Sequence, residues 1–329
     1  MNRFIHGCPG GERLFSLMCQ EMYILHLTAP LFLIIFIGYT LKKCGVVDEA
    51  FGSQLNRYVY YVALPLMLFS KISSVTMDFS FSLVAGYLAA MVTVAVISLW
   101  LSRFFRGKER GALVQGSFRS NLTYLGLPIV LYALGDEALG YAAIIMAVMI
   151  IFHNVITIAV FRHIGSQGMS GGWVRGIGST LMDPLIISIV LGMLFSFGKI
   201  PIPLVFANTI ELIARMSLPS ILLIIGISLS FTDIRKYVLK DAVTAGLKLV
   251  LMPLVAYGIM DLLFHAPPLI TMVTVLLAAM PTAVVSVTFV KEFSGDYRFA
   301  ASIVSFNTVL SMLTIPIVLH ILGTGLLSP

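Results

Sequence analysis

Apolar residues run through this chain in long blocks, separated by short stretches rich in charge, glycine or proline. Blocks of this size read as membrane-spanning helices, since about 20 residues rising 1.5 Å each are needed to cross about 30 Å of hydrocarbon. Ten such spans fit: Ile24 to Leu41, Tyr58 to Ile72, Phe81 to Leu101, Gly111 to Gly135, Tyr141 to Phe161, Ile177 to Phe197, Met216 to Phe231, Tyr237 to Leu263, Pro268 to Val290 and Phe299 to Leu322. The pattern therefore predicts an all-α polytopic membrane protein. A mixed segment, Asp48 to Arg57, is expected along the membrane interface, and Leu204 to Arg215 forms a second amphipathic approach.

Two of the spans carry interruptions. In the fourth, Ser120-Asn121-Leu122-Thr123-Tyr124-Leu125-Gly126-Leu127-Pro128 places polar side chains and a flexible glycine before a residue without a backbone donor. The ninth has its counterpart at Met280-Pro281-Thr282. Either proline alone has the plainer reading of an ordinary kink. As a pair, one in each half of the chain, they point to a transporter's binding site.

The halves align on one offset. Pro30 and Pro184, Pro65 and Pro219, and Gly38 and Gly192 each stand 154 residues apart, and Pro128 and Pro281 stand 153 apart. Five spans per copy is an odd number, so the second copy enters the membrane inverted. The expected organisation is a leader over 1–21 with Met22 as an alternative start, a first repeat over 22–164, a glycine-rich cytoplasmic linker over 165–176, and a second repeat over 177–329. Of the 21 lysines and arginines, fourteen fall on one side of the spans and five on the other. The positive-inside rule then places both termini outside the membrane.

Composition narrows the function class. Hydrophobic residues make up 59%, charged residues 11%, and the mean hydropathy is +1.00, far from the values of a soluble domain. The net charge of +6 is scattered between spans, so it reads as topology signal and not as a nucleic-acid surface. Three cysteines and six histidines show no metal-ligand spacing, and no nucleotide-binding or nucleophile motif appears. Neither a cofactor nor an enzyme is indicated.

Candidate chemistry lies within the spans. Ionisable residues there are Arg119, Lys248 and Asp183. Each is a candidate for charge coupling, with snorkelling or helix capping as the alternative. Polar groups near the breaks are Ser120, Asn121 and Thr123 from one half and Thr282 and Ser286 from the other, with Asn307 in the tenth span. Helix packing is the competing role for the hydroxyls. His153-Asn154 reads as a satisfied interior pair. The absence of paired intramembrane carboxylates disfavours cation exchange. Half-helix N-termini at Pro128 and Pro281 would favour an anion, and a carboxylate suits that field.

At these residues the chain resembles the auxin efflux carrier family, which includes plant auxin exporters and bacterial malate and malonate permeases. The resemblance rests on Ser120-Asn121 through Gly126-Leu127-Pro128, on Ala279-Met280-Pro281-Thr282-Ala283, and on Gly295-Asp296 with Leu310 to Pro316, and it extends from about Ile24 to Leu322. It implies ten helices in two inverted five-helix repeats, with broken helices 4 and 9 crossing as in bile-acid symporters. It also implies an elevator-like motion against a scaffold that forms a homodimer. By that resemblance Asn121, Pro128 and Pro281 are crossover and substrate-contacting positions, with Gly126 as hinge. Two departures stand out: Val285 where many relatives have asparagine, and Asp183 where asparagine before proline is common. The expectation is a secondary transporter of a small organic anion, partnered by membrane lipid and not by nucleic acid. A non-transporting sensor or scaffold is the alternative.

Overall fold

Proline chemistry explains much of how this chain is bent. The computed structural model describes residues 13–74, 81–165 and 182–326, and all its regular elements are helical. Among them are four π segments, Val59–Ala63, Leu122–Gly126, Gly246–Leu251 and Ile259–Leu263. Three end immediately before the dipeptides Leu64-Pro65, Leu127-Pro128 and Met252-Pro253. A proline ring crowds the carbonyl one turn back and offers it no N–H. The turn before it widens, and the preceding residue's N–H bonds five residues back, as Leu127 does to Leu122. These prolines loosen their helices without breaking them.

In chain order the helices are α1 (Arg13–Lys43), α2 (Glu49–Tyr58), α3 (Leu64–Ser73), α4 (Phe81–Leu101), α5 (Gly107–Phe118) and α6 (Leu127–His163). After residues 166–181 follow α7 (Pro184–Phe197), α8 (Leu204–Ala214), α9 (Ser217–Ser228), α10 (Ile234–Ala245), α11 (Met252–Gly258), α12 (Pro268–Ala278), α13 (Val285–Glu292) and α14 (Tyr297–Leu326). The expected linker lies outside the described residues from residue 166 onward. Among the described residues, five stretches are long and apolar enough to cross a membrane: Phe81–Phe104, Leu122–His163, Leu204–Ser228, Ile234–Leu263 and Tyr297–Gly323. The fourth and fifth expected spans run together in Leu122–His163, where Gly135 (φ 86°, ψ −173°) turns the chain in a conformation that only glycine adopts readily.

The helices pack as two groups. In the first, α1 lies on α9, α3 lies on α7, and α2 and α8 cover them. In the second, α4, α5, α6 and α10 to α14 surround the interrupted segments, with α4 on α5, α11 on α12 and α10 on α14. The α1–α9 contact is a backbone approach between small residues, the packing that membrane helices favour. A Cβ on Gly226 would lie 2.0 Å from the Ile35 carbonyl oxygen, and one on Gly38 would lie 2.5 Å from that of Leu223. Gly192 of α7 approaches α3 in the corresponding way, with Ile72 Cβ 3.0 Å from its would-be Cβ.

Candidate functional site

The interrupted segments meet each other. Helix α5 ends at Phe118, and Arg119 turns into extended backbone (φ −85°, ψ 97°). The Asn121 N–H donates to the Pro281 carbonyl at 2.8 Å, and the Ala283 N–H donates to the Arg119 carbonyl at 3.0 Å, an antiparallel bridge between Ser120 and Thr282. Each break thus satisfies backbone groups that the other orphans, as a region without water requires.

The neighbouring helix ends are also answered. Thr282 Oγ1 donates to the Gly116 carbonyl at 2.6 Å, and Lys248 Nζ donates to the Ala278 carbonyl, near the end of α12, at 2.6 Å. Asn121 caps the returning helix, its Oδ1 accepting from the Tyr124 N–H at 3.2 Å. The first break therefore spans Arg119 to Asn121, not Pro128 as the sequence suggested. Helical geometry resumes at Leu122, because the π turn absorbs the proline.

A cavity of about 840 Å³ lies between the two groups of helices, against one side of this crossing. Its deep wall is Arg119 to Tyr124 with His153 and Asn154 of α6 and Val284, Val285, Thr288 and Phe289 from the second break. The facing wall comes from the first group: Lys42, Glu49, Asn56, Arg57, Tyr60, Asp183 and Ile224. Lys42 pairs with Glu49 at 3.0 Å and also donates to the Ile227 carbonyl. Asp183 caps α7 through the Leu185 N–H and accepts from the Tyr60 hydroxyl.

Arg119 is the chemically distinctive group. It is 7% exposed, and its guanidinium donates to Asn154 Oδ1 at 3.0 Å and Thr157 Oγ1 at 3.3 Å while lying 4.5 Å from the Phe289 ring centroid. All three partners are neutral. Among the described residues no carboxylate forms an ion pair with it. A buried cation without a counter-ion is costly, and an anion in the adjoining cavity would offset that cost.

The predicted site residues divide by side of the crossing. Ser120, Asn121, Thr123, Arg119 and Asp183 line the cavity. Thr282, Ser286, Asn307 and Lys248 lie behind it, each at most 1% exposed. Asn307 Nδ2 donates to Thr282 Oγ1 at 2.8 Å, so this pair ties α14 to the crossing. Gly126 and Pro128 lie in and just after the π turn, where a Cβ on Gly126 would meet Leu277 at 2.9 Å.

Asn56, Arg57, Tyr60 and Tyr124 complete the cavity and were not foreseen. The segment Asp48 to Arg57, expected along the interface, forms α2 and packs on α9. The polar residues clustered at its end were the available signal. The Tyr124 hydroxyl bonds Asn56 Oδ1 across the gap between the two groups. Tyr124→Phe removes a link of about 1 kcal/mol and is expected to shift the balance of conformations roughly five-fold. The labelling rate of a cysteine placed at Thr288, in a background without other cysteines, by an impermeant maleimide reads that shift.

A membrane transport protein family model matches residues 23–170 and 177–319, nearly the whole chain. The chain belongs to the auxin efflux carrier family. A Methanothermobacter thermautotrophicus protein described as an uncharacterized transporter is 28% identical over 295 residues, 86% of this chain and 93% of its own. A Rhizobium meliloti protein named for malonate transport is 26% identical over 310 residues, 92% and 96% of the two chains. An uncharacterized transporter of Escherichia coli K12 is 22% identical over 303 residues, 89% and 95%. As a carrier of this family the protein is membrane-embedded, and it is a transport protein and not an enzyme.

Proposed function

We propose that this carrier moves a small organic anion, a carboxylate, across the plasma membrane by alternating access. The observation that carries the reading is Arg119, a buried guanidinium with neutral partners facing the cavity. A substrate carboxylate would take the place of its missing counter-ion, with Asn121 and Thr123 beside it. The relative named for malonate transport makes malonate the first substrate to try.

The helix groups support an elevator-type cycle in two inverted five-helix repeats. The 154-residue offset exchanges α1 with α7 and α3 with α9, so it carries the α1–α9 contact onto α7–α3. That pair of contacts forms a scaffold, and the crossing with its helices forms the moving unit. The cavity lining includes Lys42, Glu49, Asp183 and Ser228, at span ends that the basic-residue count assigns to the cytoplasmic side. The described conformation is then the inward-open one, with both termini external. A homodimer through the scaffold would cover the exposed apolar residues Phe197, Leu204 and Val205.

No nucleotide-binding motif is present in the sequence, so ion or substrate gradients drive the movement. An exported anion gains about 2.3 kcal/mol per charge per 100 mV from a negative-inside potential. The test is flux of a carboxylate panel, malonate first, into proteoliposomes under separate sodium, pH and potential gradients. Saturable flux is expected, and Asn121→Ala is expected to reduce it about ten-fold through the lost polar contact and cap. Full transport by that variant would remove Asn121 from the site. No flux of any anion under any gradient would favour a sensor or scaffold.

A further inference from the structure

Away from the cavity, the moving unit buries a carboxylate for which anion binding has no use. Asp241 of α10 is 0% exposed. Its Oδ2 accepts from Ser302 Oγ of α14 at 2.6 Å, whereas Oδ1 is enclosed and has no hydrogen-bond partner among the described residues.

No basic nitrogen forms an ion pair with it among those residues. Helix α10 packs on α14, α5 and the π segment Gly246–Leu251, and the charged groups there are engaged elsewhere or unpaired with it. On α5, Glu109 holds Lys240 at 2.6 Å, and Lys108 and Arg110 make no ion pair with Asp241. On α10 itself, Tyr237 bonds Lys236 and Asp296, and Arg235 makes no pair with it. In the π segment, Lys248 is turned to the Ala278 carbonyl. On α14, Tyr297 and Arg298 make no ion pair with it either.

A carboxylate buried in the protein interior without a counter-ion carries a desolvation cost that a small cation beside Oδ1 would relieve. We propose that Asp241 and Ser302 form the site of a coupling cation, a proton or a sodium ion, that travels with the anion. The inference rests on the transport reading for its purpose and on the orphaned oxygen for its place. Both candidate cations seek the same chemistry, a hard anionic oxygen fixed by a neighbouring hydroxyl.

Position also gives the site a route to the crossing. Ser302 and Asn307 lie on one helix, five residues or about 7.5 Å of rise apart. Asn307 bonds Thr282, which holds the Gly116 carbonyl beside the first break. Occupancy at Asp241 therefore acts on a helix that is fastened to the crossing. Import of an anion against a negative-inside potential needs a co-transported cation, and this site supplies one.

The test measures melting of the full chain in nanodiscs, with sodium titrated against choline at constant ionic strength and pH varied separately. The wild type is expected to gain stability from one of the two cations, because a ligand that binds the folded state raises its melting temperature. Ser302→Ala should need at least about ten-fold more of that cation for the same gain. Asp241→Asn should melt at or above the wild-type temperature without the cation and respond to neither. A wild type indifferent to both cations, or an Asp241→Asn variant that responds like the wild type, overturns the site.

A flux arm uses malonate. A gradient of the stabilising cation should stimulate uptake by the wild type and not by Asp241→Asn, and equal stimulation overturns the coupling. If malonate does not move in the wild type, the substrate reading fails for that anion while the melting comparison still decides the site.

Discussion

Arg119→Met is expected to reduce anion binding and uptake to the background of protein-free vesicles without unfolding the protein. Breaking a buried, hydrogen-bonded charge pair costs about 2–5 kcal/mol, which is roughly 30-fold to several thousand-fold in affinity. The unliganded protein loses bonds to Asn154 and Thr157, each worth about 1 kcal/mol, and sheds the desolvation cost of a cation without a counter-ion. Its melting temperature should therefore stay within a few degrees of wild type. Arg119→Lys keeps the charge and loses the planar fork, so it should fall between the two. Counterflow of labelled malonate, with melting curves alongside, reads both effects. Undiminished counterflow by Arg119→Met would remove the guanidinium from the site.

Gly226→Ala is expected to destabilise the scaffold by about 3 kcal/mol or more, at the upper end of overpacking effects. The new methyl would meet the Ile35 carbonyl oxygen at 2.0 Å and the Tyr39 amide nitrogen at 2.8 Å. Both are backbone atoms and no rotamer change relieves the clash, so α1 and α9 must separate and lose contact along their length. Gly258 has nothing within 4 Å of its would-be Cβ, so Gly258→Ala should be neutral or slightly stabilising. Thermal unfolding and the monodisperse yield of the two variants give the comparison. Equal melting temperatures would refute the close approach.

The apolar helical stretches and the presence of two interruptions were legible in the sequence, because each is written in residue type along a single segment. Apolar length sets a crossing, and proline and glycine mark where a helix cannot run on unaltered. The candidate residues Arg119 to Thr123, which line one wall of the cavity, were legible for the same reason.

Where the first break falls was not legible. Proline 128 looks like the interruption, yet a π turn accommodates it, and the chain opens at Arg119 to Asn121 because Pro281 and Ala283 supply partners for that backbone. The facing wall of the cavity was hidden as well. Asn56 and Tyr60 are far from Arg119 in sequence, and only packing of α2 and the following π segment on α9 brings them opposite it. Asp241 follows Arg235, Lys236 and Lys240, and in one dimension it passes for the solvated end of a span.

By itself, then, the sequence determined that the chain is a helical protein of the membrane and that two of its apolar stretches are interrupted. These follow from local composition and backbone chemistry. The tertiary structure decided which buried charges lack an ion-pair partner among the described residues, Arg119 beside the cavity and Asp241 away from it. Whether a charge is compensated depends on what other helices bring within hydrogen-bonding distance, and no single segment contains that information.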